Sequence, residues 1–90
     1  MRTLYVKSQS LVNWDAIIEG KRVARIENVS GYKRSGLYGV GLFGVGETLP
    51  DGSLYDYRVV RSYREAIIAI RDTFSTTGPV KRWPGGYYQR

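Results

Sequence analysis

The segment LYGVGLFGVG, residues 37–46, holds four of the eleven glycines in this 90-residue chain. Side chains alternate along a β-strand, so a strand here sorts its residues onto two faces. One face carries the larger side chains of Tyr38, Val40 and Leu42. The opposite face carries Gly39 and Gly41 and has a notch where side chains are missing. We therefore expect a helix, an aromatic ring or a ligand to lie over this strand.

The same segment contains a literal G-x-G-x-x-G at Gly39, Gly41 and Gly44. A dinucleotide-binding fold needs this motif between a strand and the helix that it opens. Here the glycines lie within an apolar run, and the turn residues 50–52 follow instead of a helix. We interpret the glycines as permitting close packing against the strand. The side chains expected to approach them are those of the helix, Ile67, Ile70 and Phe74, or a ring, Trp14 or Trp83.

Residues 11–29 predict a β-hairpin that turns at Glu19 and Gly20, because β-branched residues dominate both arms. A two-residue turn would place Trp14 opposite Arg25. The alternative is a helix over the first arm, which its asparagine and aspartate disfavour.

A helix is predicted from Ser62, which begins a capping box with Glu65. One buried stripe follows at helical spacing: Tyr63, Ala66, Ile67, Ile70 and Phe74. Gly78 and Pro79 are expected to end the helix.

Residues 3–7 and 54–60 predict two further strands. The elements together predict an α+β fold: an antiparallel β-sheet of four to five strands with one amphipathic α-helix packed on one face. We expect residues 1–78 to form a single domain and residues 79–90 to form a basic, aromatic C-terminal tail.

The composition excludes several common classes of site. The chain has no cysteine and no histidine, and its eight acidic residues are spread singly. Thiolate zinc sites, histidine-activated nucleophiles and the usual general base near neutral pH are therefore missing. We expect a protein that is not an enzyme and that uses no cofactor or metal.

Fourteen Lys and Arg against eight Asp and Glu give a net charge of +6. This balance favours nucleic acid, a nucleoprotein complex or an acidic protein surface as partner. Charge kept only for solubility is the alternative. No apolar run has the length of a membrane span or a signal peptide. The sequence therefore predicts a cytoplasmic location, in the host cytoplasm if the protein is viral, and no membrane partner.

The tail supplies the candidate binding residues, because it mixes cations with large rings. Cations contact phosphates and rings stack on bases in single-stranded nucleic acid sites. The predicted partner-binding residues are Lys81, Arg82, Trp83, Tyr87 and Tyr88, aided by Lys33 and Arg34. The alternative is that the tail's rings pack on the protein's own sheet.

The hairpin at residues 14–26 and the capped helix at residues 62–70 give the chain the layout of a known group. It resembles small accessory proteins of phages and mobile elements, anti-CRISPR inhibitors among them. The resemblance implies a compact sheet-plus-helix domain that acts by binding, here as an inhibitor of a host defence complex. Arm-type domains of integrases and AP2-like domains share three strands followed by a helix, which implies sequence-specific DNA binding instead. A third expectation is a small structural or oligomerising virion protein, with the glycine-rich strand or residues 54–60 as its pairing edge. A homodimer through an edge strand is a possible partner arrangement.

Overall fold

The computed structural model describes residues 2–29 and 36–90. Five strands come first: β1 (Tyr5–Ser8), β2 (Asn13–Ile18), β3 (Lys21–Asn28), β4 (Tyr38–Thr48) and β5 (Leu54–Val60). The helix α1 (Tyr63–Phe74) and the two-residue strand β6 (Lys81–Arg82) follow. The predicted α+β fold with one helix is confirmed.

Within the described residues the sheet has six strands in the order β5-β4-β3-β2-β1-β6, one or two more than the four to five expected. Strands β1 to β5 form an antiparallel meander, whereas β6 pairs in parallel with β1. The sheet is therefore mixed. The extra strand arises because α1 carries the chain back across the sheet, so that residues 81–82 arrive beside β1 running in its direction.

The β2–β3 hairpin is confirmed, and its predicted register is correct only near the turn. Glu19 and Gly20 have positive φ values of 54° and 77°, as a tight mirror-image hairpin turn requires. A β-bulge between Ala16 and Ile17 then shifts the pairing by one residue. Trp14 consequently lies opposite Ile26 and not opposite Arg25. The inserted residue moves every later pair of the hairpin by one position.

The core lies between the sheet and α1. Both the sheet side and α1 contribute its buried residues, which are Leu4, Ala16, Ile18, Ala24, Ile26, Val40, Leu42, Ala66 and Ile70. The helical stripe is as predicted, since Ala66 and Ile70 are buried and the rest of the stripe packs against this cluster. We call the side of the sheet that carries Val40 and Leu42 the helix face, and the other side the open face.

The ends of α1 follow local chemistry. The Ser62 hydroxyl accepts a hydrogen bond from the Glu65 amide at 3.1 Å, as predicted for the N-cap. The Glu65 carboxylate accepts from the Arg61 amide at 3.3 Å, so the reciprocal bond of the capping box falls one residue earlier than Ser62. The helix ends at Phe74 because Ser75 adopts the left-handed conformation, which stops it before Gly78.

The glycines of β4 are covered differently from expectation. Gly39 and Gly41 lie on the open face, because they alternate along β4 with Val40 and Leu42, which occupy the helix face. A Cβ atom at Gly39 would collide with the Tyr57 hydroxyl, and one at Gly41 would lie 2.5 Å from that of Tyr55. Neither the helix nor a tryptophan fills the notch. Rings from the adjacent strand β5 lean over it diagonally.

The C-terminal tail is bonded to the sheet at two places. The amides of Lys81 and Trp83 donate to the carbonyls of Leu4 and Val6, both at 3.0 Å. Further on, Gln89 exchanges backbone hydrogen bonds with the β2–β3 turn region, from its amide to Gly20 and from Arg22 to its carbonyl. The alternative in which the tail packs on its own sheet therefore describes these parts of it.

The described part of the chain contains no helix with both the length and the apolar character of a membrane-spanning segment.

Candidate functional site

A buried carboxylate anchors the tail to the open face. Asp15 in β2 is only 2% exposed. Its Oδ2 atom accepts hydrogen bonds from the Tyr88 hydroxyl at 2.7 Å, from Gln9 Nε2 at 3.0 Å and from Arg90 Nη2 at 3.1 Å. The Arg22 guanidinium lies 3.6 Å from the other carboxylate oxygen. Because this buried carboxylate is paired with two guanidinium groups and accepts hydrogen bonds from Tyr88 and Arg90, Asp15 holds the tail in place.

Sequence reasoning missed this role. A single aspartate between apolar residues in a predicted strand is the only local signal, and its two tail partners, Tyr88 and Arg90, lie more than 70 positions away. We name the group of Asp15, Tyr88, Arg90, Gln9 and Arg22 the Asp15 anchor.

Because Tyr88 belongs to the Asp15 anchor, we expect the free energy of unfolding to decline at alkaline pH. Burial, and then the hydrogen bond to Asp15, raise the pKa of Tyr88 above its ordinary value of 10.0. Above pH 10 the unfolded tyrosine has released a proton that the folded one keeps, so the unfolded state binds fewer protons. The stabilisation that comes from the raised pKa of Tyr88 is therefore complete below pH 10. It is lost as the pH rises through the pKa of Tyr88 in the folded protein.

We expect the free energy of unfolding, measured by urea titration across this range, to fall with a shallower slope in Tyr88→Phe than in the wild type. Burial also raises the pKa values of Tyr57 and Tyr63, so a residual slope remains in the variant. Parallel curves for the two proteins would contradict the assignment of Tyr88.

Some of the predicted tail residues are packed into the fold, and others are exposed on its surface. Tyr88 is buried, and its ring makes an edge-to-face contact with Trp83, which makes another with Tyr5 at 5.3 Å. Tyr88 is thus committed to packing and offers no stacking surface. Lys81 and Arg82 are exposed, and Tyr87 is 90% exposed. Lys33 and Arg34, the remaining predicted site residues, lie outside the described residues.

A cleft of about 590 Å³ brings three of these tail residues together with residues from β1, β2 and α1. We call it the tail cleft. Its lining consists of Val6, Lys7, Ser8, Trp14, Tyr63, Val80, Lys81, Arg82 and Trp83. Side chains alternate along residues 80–83, so Arg82 lies on the side of Val6 and Trp83 on the side of Tyr5. The cleft therefore wraps around the β1–β6 edge of the sheet.

The tail cleft combines positive charge with aromatic rings. Three of its residues are cations, three are aromatic, and none is acidic. Within the described part of the chain, Lys7, Lys81 and Arg82 form no ion pair. The rings of Trp14 and Tyr63 meet edge to face at 5.1 Å. An anionic ligand with flat apolar parts matches this lining.

A second groove, of about 680 Å³, lies at the other end of the sheet. We call it the open-face groove. It is lined by Lys21, Arg22, Arg25, Phe43, Gly44, Leu49, Ser53, Leu54 and Tyr55. The Arg22 guanidinium lies 4.7 Å above the Phe43 ring, and Phe43 and Tyr55 are 5.6 Å apart. No spacing in the sequence indicates this groove, because its residues come from separate strands and the β4–β5 turn.

The described residues contain no group of three His, Cys, Asp or Glu side chains that could hold a metal ion. Comparison of the chain with protein-family models, curated proteins and solved structures gives no match.

Proposed function

We propose that this protein binds single-stranded nucleic acid, free or displayed on a nucleoprotein complex, through the tail cleft. The observation that carries the proposal is the lining of the cleft: three cations that form no ion pair with any described residue lie beside three rings, and none of the lining residues is acidic. Phosphates of a single strand match the cations, and its unstacked bases match the rings. The binding needs no catalytic group, in keeping with a chain that lacks histidine and cysteine.

The aromatic lining favours nucleic acid over an acidic protein surface. Acidic protein surfaces supply carboxylates for the three cations but no flat bases for the rings. Trp14, Tyr63 and Trp83 are each partly exposed, so they present apolar surface to the cleft. Base stacking on such rings contributes about 1–3 kcal/mol per base.

Intrinsic fluorescence tests this proposal directly. The chain has two tryptophans, Trp14 and Trp83, and both line the tail cleft. We expect a short single-stranded oligonucleotide to quench tryptophan emission in a saturable way. If Lys7, Lys81 and Arg82 each neutralise one phosphate, the plot of log affinity against log salt has a slope of about −2.

The double variant Lys81→Ala/Arg82→Ala should lose about tenfold or more in affinity at low salt, and its salt slope should fall to about −0.7. The matched control is Arg61→Ala/Arg64→Ala, which removes the same charge from exposed positions beside and on α1. Equal losses in both double variants would show a dependence on net charge alone and contradict the tail cleft. Absence of quenching by any oligonucleotide would contradict the proposed function.

The open-face groove favours a second candidate, duplex DNA binding by the sheet. Lys21, Arg22 and Arg25 lie there beside Phe43 and Tyr55. This candidate predicts tighter binding to duplexes than to single strands, and discrimination between base sequences. The variant Lys21→Ala/Arg25→Ala should then lose affinity while Lys81→Ala/Arg82→Ala keeps it. The opposite ranking of the two variants identifies the tail cleft.

A further inference from the structure

Strand β5 forms one edge of the sheet, and no described strand pairs with its outer side. The other edge is β6, which has only two residues. Three apolar or aromatic side chains of β5 are exposed: Val59 at 55%, Tyr57 at 45% and Leu54 at 40%. A long unpaired edge of this kind is a template for another strand.

The sequence of β5, LYDYRVV, is complementary to itself when read in the opposite direction about Tyr57. Asp56 precedes the central residue and Arg58 follows it. These two side chains share the helix face of the sheet, because they lie opposite Leu42 and Val40. Within one copy they already form an ion pair at 2.9 Å.

We propose that two copies of this chain pair antiparallel through β5, centred on Tyr57. In that register Asp56 of each copy lies opposite Arg58 of the other. Tyr55 lies opposite Val59, and Leu54 lies opposite Val60. Opposite charges and aromatic–β-branched pairs are favourable cross-strand neighbours.

The charges of β5 select this register over its neighbours. A shift of two residues in one direction places Asp56 opposite Asp56, and in the other direction it places Arg58 opposite Arg58. Like charges directly opposite each other are destabilising. A shift of one residue would bring the side chains of opposite faces together. Charged side chains ordinarily protect an edge strand from pairing. In β5, Asp56 and Arg58 instead favour the register centred on Tyr57 over its neighbours.

The pairing is also free of steric conflict between the helices. A two-fold axis perpendicular to the sheet puts both copies of α1 on the same side. The helix packs over β3, β4 and β5, so its axis lies near β4. The two β4 strands would be separated by three strand spacings, about 14 Å. Since a helix with its side chains is about 10–12 Å wide, the two helices fit side by side.

Light scattering of the purified protein, coupled to size exclusion, tests the pairing without any nucleic acid. We expect a mass of twice the 10.2 kDa of one chain at micromolar concentrations. Asp56→Arg should give a monomer, because two arginines then lie opposite each other. Arg58→Asp should do the same through two aspartates. Both side chains are partly exposed, so circular dichroism should show a native fold for each variant.

The charge-reversed double variant, Asp56→Arg/Arg58→Asp, should dimerise again, since the pair is only inverted. Mixing the two single variants should form a heterodimer, because one copy then carries two arginines and the other two aspartates. A wild type that stays monomeric at the highest soluble concentration overturns the proposal. A dimer that persists in both single variants also overturns it, because its interface must then lie elsewhere.

Discussion

Replacement of Gly46 by alanine should lower the free energy of unfolding by about 4 kcal/mol, combining backbone strain with a collision that nothing nearby can relieve. Gly46 lies in the part of β4 between Phe43 and Glu47, where a bulge interrupts the pairing with β5. Its φ of 91° is a conformation that side-chain-bearing residues rarely adopt. An added Cβ would lie 2.5 Å from the carbonyl oxygen of Tyr55 and 2.6 Å from Cβ of Asp56.

The severity follows from which atoms are hit. At Gly41 an added Cβ meets the hydroxyl end of the Tyr55 ring, and that ring can turn aside. At Gly46 it meets the backbone of the neighbouring strand, which moves only if the ladder between β4 and β5 opens. The bulge that creates this contact also carries Val45 onto the core. The loss at Gly46 should therefore appear as global unfolding at a lower denaturant concentration.

Gly44→Ala is the matched control, because Gly44 has a similar φ of 80° but no atom within 4 Å of an added Cβ. It should cost about 1–2 kcal/mol through strain alone. Urea unfolding of the two variants measures the difference. Equal destabilisation would contradict the backbone collision as the main cause at Gly46.

Asp15→Ala should destabilise the protein by about 2–4 kcal/mol, the second large effect. The substitution removes three hydrogen bonds to a buried carboxylate, and bonds to charged groups contribute more than neutral ones. It also leaves the Tyr88 hydroxyl without its acceptor in a buried setting. The guanidinium of Arg90 is largely exposed and regains water, which keeps the loss below that of a fully buried ion pair.

Urea unfolding followed by tryptophan emission measures both consequences, since release of Tyr88 also frees one side of Trp83. Asp15→Asn should fall between alanine and the wild type, because it keeps an acceptor but loses the charge. Asp72→Ala, an exposed aspartate on α1, is the control and should stay within about 0.5 kcal/mol of the wild type. An Asp15→Ala protein as stable as the wild type would show that the anchor contributes nothing.

Local rules were sufficient for the parts of this fold whose chemistry lies within a few residues. Ser62 predicted the start of α1, and the apolar spacing predicted its buried side. Glycine after Glu19 predicted the hairpin turn, and alternation predicted that Val40 and Leu42 share a face. Each of these features depends on neighbours in sequence, so their physical causes can be read there.

The candidate site was predicted in part. The basic and aromatic character of residues 79–90 indicated Lys81, Arg82 and Trp83, which the structure places together in the tail cleft. Lys7, Trp14 and Tyr63, which complete that cleft, were not indicated, because β1, β2 and α1 are distant from the tail in sequence. Tyr88 was also predicted as a binding residue because it is an aromatic residue of the tail, but it is buried against Asp15.

The sequence alone was sufficient to predict the α+β class, the capped helix and the sorting of strand residues onto two faces. Three features depend on tertiary packing: the bulge that shifts the register of β2 against β3, the return of β6 beside β1, and the rings that cover Gly39 and Gly41. The division has one physical reason. Helix caps and tight turns are local interactions, whereas register, sheet order and the partners of Asp15 are set by packing between segments that meet only once the chain has folded.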